Sequence, residues 1–385
     1  MRKLTVCALV AAIASPAYAD DGVRADDRGL TIESGQAQLT LGGRVHLDGA
    51  IFDDPATGDT GETEVDFRRA RLELSGRYGD VLRFEVDREF AGNSKGWRNV
   101  WLQIEPIDNV RLRGGNFIVP FSAEDQQSSN TLPFVERSLA SSLAPGFGLG
   151  GSVSAYGSRW SAKAGYFTDP LDNDEGHSSE RGRGVAGRVT FVPLKGNGVT
   201  LHLGLAGERR TFRSTEAVSF SADPGSMLAP TLMSSGAIGD LDKLTGWNGD
   251  AAISFGPVLV QAEATGIALN RELGSNLDFS GQTFQASWLI TGGRYDYSES
   301  QGLFNGPRLR RGKGAVEVAA RYSHLDLTDD TVVGGNGRAF TAGANWYLNR
   351  NVRLMANYTD SHVNFPGTLP SVDNKVGVAR VQVAF

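Results

Sequence analysis

The chain has 385 residues, 49 of them glycine, with 21% charged residues and a formal net charge of -6 at pH 7. This acidity argues against a general nucleic-acid binder, which presents a basic surface to phosphates. The mean hydropathy of -0.24 is low. It does not exclude a membrane barrel, because only every second residue of a barrel strand faces lipid.

The start of the chain has the pattern of a secretory signal. Two basic residues precede an apolar run, and the small-x-small sequence at 17–19 fits a cleavage site. The run is shorter than the roughly 20 apolar residues that a spanning helix needs. Cleavage after residue 19 would remove Arg2 and Lys3, taking the charge from -6 to -8, and would also remove Cys7, the only cysteine. We therefore expect an exported protein without disulfides.

The rest of the chain is a series of runs in which polar and apolar residues alternate. In residues 65–80, for example, Leu72 and Leu74 alternate with Arg71 and Glu73. A period of two is typical of strands with one wet and one apolar face. About sixteen strands are predicted, near 37–51, 65–78, 81–90, 98–105, 110–118, 149–157, 158–168, 183–193, 199–213, 247–255, 258–270, 281–291, 314–327, 337–348, 352–360 and 374–385.

The links between these runs alternate in length. Short links are expected at 77–80, 105–109, 156–160, 193–198, 255–257 and 347–351. Long polar links are expected at 52–64, 91–97, 119–148, 169–182, 214–246, 271–280, 328–336 and 361–373. Long loops at one end and short turns at the other are typical of outer-membrane barrels. The long basic link 292–313 breaks this rule, and a secreted β-sandwich or β-helix is the alternative fold.

The C-terminal run VGVARVQVAF ends in an aromatic residue on its apolar face, Phe385. Such an ending resembles the signal that outer-membrane assembly machinery recognises, so this machinery and outer-membrane lipid are expected partners. Aromatic residues also occur near other strand ends, where they fit interfacial girdles. They are Phe52, Trp101, Trp160, Tyr166, Phe167, Trp247, Trp288, Trp346, Tyr347 and Tyr358.

The chain resembles the phosphate-selective porin O and P family in six blocks that occur in order. They are FRRARLELSG, VRLRGGNFIVPFSAED, SSNTLPFVERSLA, QASWLITG, AARYSHLDL and NWYLNRNVRLMANY. The resemblance implies one all-β domain at 20–385, a transmembrane antiparallel barrel of sixteen strands, usually a homotrimer in the bacterial outer membrane. It also implies that the third extracellular loop, here about 119–148, folds inward and narrows the pore.

If the apolar face of each strand meets lipid, the alternate face lines water. Arginine facing lipid near the midplane would cost about 2–4 kcal/mol per residue, which decides this orientation. The basic residues then inside are Arg44, His46, Arg69, Arg71, Arg77, Arg83, Arg111, Arg113, Lys163, Arg188, Arg321, Arg353 and Arg380. The acidic residues inside are Asp48, Glu73, Glu85, Asp87, Glu105, Asp250, Glu263 and Glu317.

This surplus of bases predicts a passive channel for small hydrophilic solutes that favours anions, since arginine offers forked donors without a removable proton. Arg68 matches one of a pair of arginines at the family's constriction, although simple alternation points it outward, so we expect a rim position or a distorted strand. The expected anion-interacting residues are Arg68, Arg69, Arg71, Arg83, Arg111, Arg113, Lys163, Arg188, Arg321 and Arg353. Alternatively, Arg71 and Arg113 pair with Glu73 and Glu85 and stabilise the wall.

The expected constriction loop differs from the family pattern. Phosphate-specific members enrich their constriction with lysine, whereas residues 115–136 contain no lysine or arginine. They include Glu124, Asp125 and Glu136, and Arg137 follows. These acids are expected to face Arg69 and Arg71 across the pore, as in a general porin, which argues against phosphate specificity.

Two other functions are considered. A membrane-embedded hydrolase such as a phospholipase needs a nucleophile, a base and an orienting group, but no histidine lies in a recognisable motif. A structural or adhesin barrel would share the fold and not conduct. Four acids at 169–175 could suit calcium, but their spacing does not match an EF-hand and a solvated loop is the preferred interpretation. No cofactor and no nucleic-acid partner are expected.

Overall fold

The computed structural model describes residues 22–26, 29–54, 58–92, 95–171, 182–223, 225–309, 314–367 and 370–385. The predicted signal at 1–19 lies outside them. The described residues form 22 strands, which in chain order are β1 (Val23–Asp26), β2 (Gly29–Ser34), β3 (Ala37–Asp54), β4 (Asp59–Tyr78), β5 (Leu82–Glu89), β6 (Gly96–Ile107), β7 (Val110–Ile118), β8 (Phe147–Tyr156), β9 (Trp160–Thr168), β10 (Arg183–Gly196), β11 (Val199–Thr211), β12 (Ser221–Ala222), β13 (Met233–Ser234), β14 (Leu241–Phe255), β15 (Val258–Arg271), β16 (Leu277–Leu289), β17 (Arg294–Ser298), β18 (Leu303–Arg308), β19 (Ala315–Asp329), β20 (Val332–Tyr347), β21 (Val352–Asn364) and β22 (Val372–Ala384).

Sixteen strands form a closed antiparallel barrel, which confirms the predicted architecture. They are β3–β11, β14–β16 and β19–β22, each paired with its neighbour. Closure is made by β22, which pairs with residues 44–52 of β3. Phe385 extends this ladder, since its N–H donates to the carbonyl of Gly43 over 3.0 Å and its carbonyl accepts from the Gly43 N–H over 2.7 Å. Closure gives the backbone N–H and C=O groups of every barrel strand a hydrogen-bonded neighbour, which lipid could not provide.

The links have the predicted alternation of length, although several long ones are shorter than expected. The two-residue turn between β10 and β11 holds Asn197 at φ 51° and Gly198 at φ 78°, which is the positive-φ pair of a type I′ hairpin. The predicted long links 52–64 and 328–336 are largely strand, because β3, β4, β19 and β20 continue to residues 54, 59, 329 and 332. Polar residues there remain paired in the sheet beyond the apolar band.

The outer wall is apolar, as alternation requires. In β16, Phe284 and Trp288 are exposed, whereas Gln285 and Ser287 between them are buried. Six of the predicted girdle aromatics lie on this wall, namely Trp160, Tyr166, Trp247, Trp288, Trp346 and Tyr358. The prediction is wrong for the four that occupy inward positions of their strands, namely Phe52, Trp101, Phe167 and Tyr347.

Two long links fill part of the barrel. The constriction loop (residues 119–146) contains helix α1 (Ala123–Gln126) and a 3-10 helix (Leu139–Leu143). It packs with the outer loop (residues 212–240) against the inner face of β11–β20 in one buried apolar cluster, which includes Phe121, Leu143, Phe220, Leu244, Leu269 and Leu325. Burial of each side chain of this size contributes about 1.5–3 kcal/mol to stability. The cluster therefore holds both loops against the wall, and the two loops close this side of the bore. No helix of the described residues is long and apolar enough to cross a membrane.

The link that broke the length rule enters the barrel from the opposite end. Strands β17 and β18 form an inner hairpin (residues 294–308) that pairs with itself. Tyr295 and Phe304 of this hairpin pack with Leu289 and Tyr347 of the wall. The Gln127 side chain of the constriction loop donates to the Phe304 carbonyl over 3.2 Å, so the hairpin and the loop meet inside the barrel.

Candidate pore passage

Two cavities remain beside the filled part of the barrel. The basic chamber, of about 450 Å³, lies among β3–β9, the constriction loop and the inner hairpin. The lower chamber, of about 880 Å³, opens toward the short turns. The linings of the two cavities have six residues in common, and we call these six residues the neck. They are Arg44, Glu73, Glu85, Trp101, Thr131 and Asn305. The chambers and the neck form a candidate passage along one side of the bore.

A β-bulge in β4 turns two adjacent arginines into the bore. His46 pairs with Arg69 and Leu47 pairs with Phe67, so Arg68 is the extra residue of β4. A bulged strand re-aims its side chains, and both arginines here point inward. This confirms the strand distortion that the sequence offered as one position for Arg68. The Arg68 Nε donates to Glu136 of the constriction loop over 2.5 Å, and its Nη2 donates to the same carboxylate over 2.9 Å.

A second bulge lies two strands away in β6. Val86 pairs with Val100 and Arg88 with Trp97, so Arg98 and Asn99 together oppose Asp87. Asn99 donates to the Asp87 carboxylate over 3.0 and 2.9 Å. Arg98 points into the basic chamber, a position that the sequence analysis did not predict. The signal that could have found it is a pair of polar residues, Arg98 and Asn99, inside an otherwise alternating run.

Basic side chains dominate the basic chamber. Seven line it, namely Arg44, Arg69, Arg71, Arg98, Arg113, Arg137 and Lys163, against the two carboxylates of Glu73 and Glu85. Arg69 is only 6% exposed, and its guanidinium group lies 3.7 Å from the Glu89 carboxylate. The Nε of Arg98 is buried without a hydrogen-bond partner among the described residues. These two guanidinium groups therefore place positive charge beside the passage that is not tightly paired with a carboxylate of the described residues.

The model of phosphate-selective porins O and P matches residues 39–385 of the chain. The chain belongs to this family. It is 24% identical to porin O of Pseudomonas aeruginosa, over 90% of this chain and 88% of that protein. Two solved structures share the fold, each covering 91% of this chain and 100% of its own with a TM-score of 0.57. They are the anion-selective porin from Comamonas acidovorans, 16% identical, and the trimer form of OmpT from Vibrio cholerae, 13% identical. The protein is an outer-membrane porin, integral to the bacterial outer membrane.

The acids of the constriction loop in this porin anchor the loop. Glu124 is buried, accepts from the Ser138 hydroxyl over 2.5 Å and lies 3.4 Å from Arg321 of β19. Glu136 pairs with Arg68 and lies 3.6 Å from Arg380. Burial alone would raise the pKa of the Glu136 carboxyl, but the Arg68 and Arg380 guanidinium groups outweigh it and hold that pKa at about 2. The expectation that these acids face Arg69 and Arg71 across the pore is wrong.

The other two predicted loop residues also hold the loop together. Arg137 donates to the carbonyls of Glu124, Asp125 and Gln127 over 3.2, 3.1 and 2.9 Å. Its Nε lies 3.8 Å from the Asp125 carboxylate. Arg137 also lines the basic chamber. The same cation therefore holds the backbone of the loop and contributes positive charge to the passage.

Three arginines predicted as pore-lining are buried anchors of the constriction loop, and of these only Arg353 also lines the passage. Arg188 pairs with Asp250 at 2.6 Å and donates to the carbonyl of Phe121 over 3.2 Å. Arg321 donates to the Glu136 carbonyl over 2.9 Å, and Arg353 donates to that of Leu132 over 2.7 Å. Each points inward as alternation requires, but the constriction loop covers it. Their 2–4% exposure places Arg188 and Arg321 off the passage, and Arg353 reaches only the lower chamber.

The remaining predicted bases lie along the open wall. Lys163 donates to the Gln301 carbonyl over 2.9 Å and to Gln126 over 3.3 Å, where hairpin and loop meet. Arg83 lines the lower chamber with a side chain that is 45% exposed. Arg71 lies 3.2 Å from Glu89 and Arg111 lies 3.0 Å from Glu105. The wall therefore contains Arg–Glu pairs, but not those expected, since Glu73 pairs with Arg44 and Arg113 donates to Gln103.

Histidines and acids of the described residues do not assemble another recognisable centre. His202 contacts Asp250 at 2.7 Å and the Tyr297 hydroxyl at 2.8 Å, so its second nitrogen faces a tyrosine where a hydrolase would place its nucleophile. The carboxylates of Glu73, Glu85 and Asp87 lie within 4.8 Å of one another, but Arg44 and Arg71 pair with two of them. The acidic stretch at 172–175 lies outside the described residues.

Proposed function

We propose that this porin conducts small hydrophilic solutes passively and favours anions. The observation that carries the proposal is the basic chamber, where seven basic side chains outnumber two carboxylates. Rings of fixed positive charge along a narrow aqueous path attract anions and repel cations. The guanidinium groups of Arg69 and Arg98 support this assignment, because their positive charges face the chamber and attract an anion within it.

Inorganic phosphate is proposed as one permeant anion, without specificity for it. The acids of the constriction loop, which argued against phosphate in the sequence, are neutralised by Arg68 and Arg321. Lys163 is nevertheless the one lysine that lines either described chamber. A chamber built on arginine offers bidentate recognition to many oxyanions, so the proposal covers phosphate together with other small anions.

Ion selectivity in planar bilayers tests this proposal. With a tenfold gradient of potassium chloride, we expect a reversal potential of the sign that indicates chloride permeation. Arg69→Gln combined with Arg98→Gln should reduce the chloride-to-potassium permeability ratio several-fold, because both charges face the chamber. The matched control is Arg88→Gln, since Arg88 packs over the outer-wall ring of Trp97 at 5.0 Å. Cation preference in the unmodified protein would refute the proposal.

Three further parts of the assignment are proposals. A homotrimer is supported by the trimer form of the similar OmpT, and light scattering of the detergent-solubilised protein would test it. Recognition of the last strand by assembly machinery is supported by the place of Phe385 in the closing ladder, and Phe385→Ala should lower the amount in the membrane. Passage without catalysis is supported by the family, and release of fatty acid from added phospholipid would contradict it.

A further inference from the structure

The open wall carries a series of arginine–aromatic stacks that the charge argument does not use. The Arg98 guanidinium carbon lies 4.2 Å from the centre of the Phe147 ring, that of Arg113 lies 4.0 Å from Trp101, and that of Arg111 lies 4.7 Å from Tyr156. These pairs come from three adjacent strands, β6, β7 and β8. They descend from the basic chamber toward the short turns.

Trp101 is the member of this series that a solute must pass. Its partly buried indole lines both chambers and so belongs to the neck. Arg113 is fixed against it by two hydrogen bonds to the Gln103 side-chain carbonyl, at 3.1 and 2.6 Å. With Nε and Nη2 donating to Gln103, the Arg113 guanidinium has Nη1 left for an anion. The neck thus presents an indole with a positioned cation over one of its faces.

The charge at the neck is less positive than in the basic chamber. Arg44 is neutralised by Glu73 at 3.0 Å. Glu85 also lines the neck, with its carboxylate within 4.8 Å of those of Glu73 and Asp87. The net positive charge that an anion meets is therefore smaller at the neck than in the basic chamber, and contacts other than charge can discriminate between anions there.

We propose that the preferred solutes are planar organic monocarboxylates, whose ring packs against the exposed part of the Trp101 indole in the neck while the carboxylate contacts the neighbouring guanidinium groups. Trp101 is then a specificity-determining residue. The opposite side of the neck, with the hydroxyl of Thr131 and the amide of Asn305, has neutral groups that do not oppose such a solute. This inference rests on the proposed anion preference, because the carboxylate must first enter the basic chamber.

Bilayer permeability ratios test the inference with benzoate, cyclohexanecarboxylate and phosphate as probes. Benzoate and cyclohexanecarboxylate have the same charge and similar size, and only benzoate has a flat aromatic face. We expect benzoate to be more permeant than both other ions, or to block chloride current at lower concentration. Trp101→Leu should reduce the advantage over cyclohexanecarboxylate by about two- to tenfold, the range expected for one aromatic contact, and Trp101→Phe should retain most of it.

The controls separate this inference from the proposed function. Trp288→Leu removes an indole of the outer wall, 51% exposed, and should leave all ratios unchanged. Chloride conductance of each variant shows that it has folded and inserted. Chloride preference without any preference for benzoate would overturn the inference alone. An unchanged benzoate advantage in Trp101→Leu would also overturn it, whereas potassium preference in the unmodified protein would refute the proposed function itself.

Discussion

The two halves of the barrel use arginine in opposite ways. In the open half, β3–β9, Arg69, Arg98 and Arg113 line a water-filled chamber. In the filled half, β10–β22, Arg188, Arg321 and Arg380 are at most 4% exposed and donate to the constriction loop or to buried acids. All of these side chains point inward from a strand, so their direction does not decide their role.

What decides the role is whether a loop covers the arginine. The constriction loop brings backbone carbonyls to the filled half, and a buried carbonyl needs a donor. Arginine, with five donors in a fixed fork, can satisfy several at once. Loop carboxylates then neutralise the buried charges. In the open half, the constriction loop does not cover β5–β8. The guanidinium groups of these strands therefore remain beside the aqueous chamber.

The largest effect on stability is expected in the filled half, from Arg380→Ala. Arg380 donates to both oxygens of Asp48 over 2.6 and 2.7 Å and to the Val135 carbonyl over 2.7 Å. Removing one partner of a buried pair leaves the other charge unpaired, which typically costs about 3–5 kcal/mol. The free energy of unfolding by urea in lipid vesicles measures this loss.

Two controls sharpen that test. Arg83→Ala in the open half removes a side chain that is 45% exposed, and we expect a cost of roughly 0–1 kcal/mol. Asp48→Ala added to Arg380→Ala should recover part of the lost stability, because the stranded carboxylate is removed. Equal costs for Arg380→Ala and Arg83→Ala would contradict the distinction between anchoring and pore-lining arginines.

The strand pattern could be predicted because most barrel residues obey one local rule. Alternation in Leu72–Leu74 or in β16 requires only that one face meets lipid. It fails at Arg68 and Arg98, where an extra residue in the strand lets two successive side chains face the same way. A pair of polar residues in an alternating run is the local signal for such a bulge.

The fate of the loop acids could not be predicted in the same way. Glu136 meets Arg68 from β4 and Arg380 from β22, and neither contact follows from its sequence neighbours. A count of charges in residues 115–136 therefore does not give the charge that the loop presents to the passage. Likewise, the length of 292–313 marked an exception, but only packing against Leu289 and Tyr347 shows that the inner hairpin enters the barrel.

A smaller effect, dependent on pH, is expected at the boundary between the halves. The Glu136 pKa is lowered from its ordinary value of 4.5 to about 2. A lowered pKa means that the carboxylate stabilises the loop above about pH 4.5, and that this stabilisation is lost as the pH falls toward 2. Single-channel current should therefore be steady at pH 5–7 and become noisy between about pH 4 and 2.

Arg68→Met should move the onset of that noise upward by about one pH unit or more, because it removes the nearest opposite charge. Arg83→Met, which removes a cation far from the loop, is the matched control and should leave the onset unchanged. Single-channel recording across pH 2–7 measures both. The same onset in Arg68→Met and in the unmodified protein would mean that Glu136 does not hold the loop.

The smallest effect is expected from the inner hairpin, through Tyr297→Phe. The Tyr297 hydroxyl lies 2.8 Å from the Nδ1 of His202, and loss of one such hydrogen bond costs about 0.5–1.5 kcal/mol. The hairpin should stay in place, because Tyr295 and Phe304 remain packed against the wall. Urea unfolding should therefore show a small loss, with conductance unchanged. A marked rise in conductance would instead show that this single bond keeps the hairpin inside the filled half.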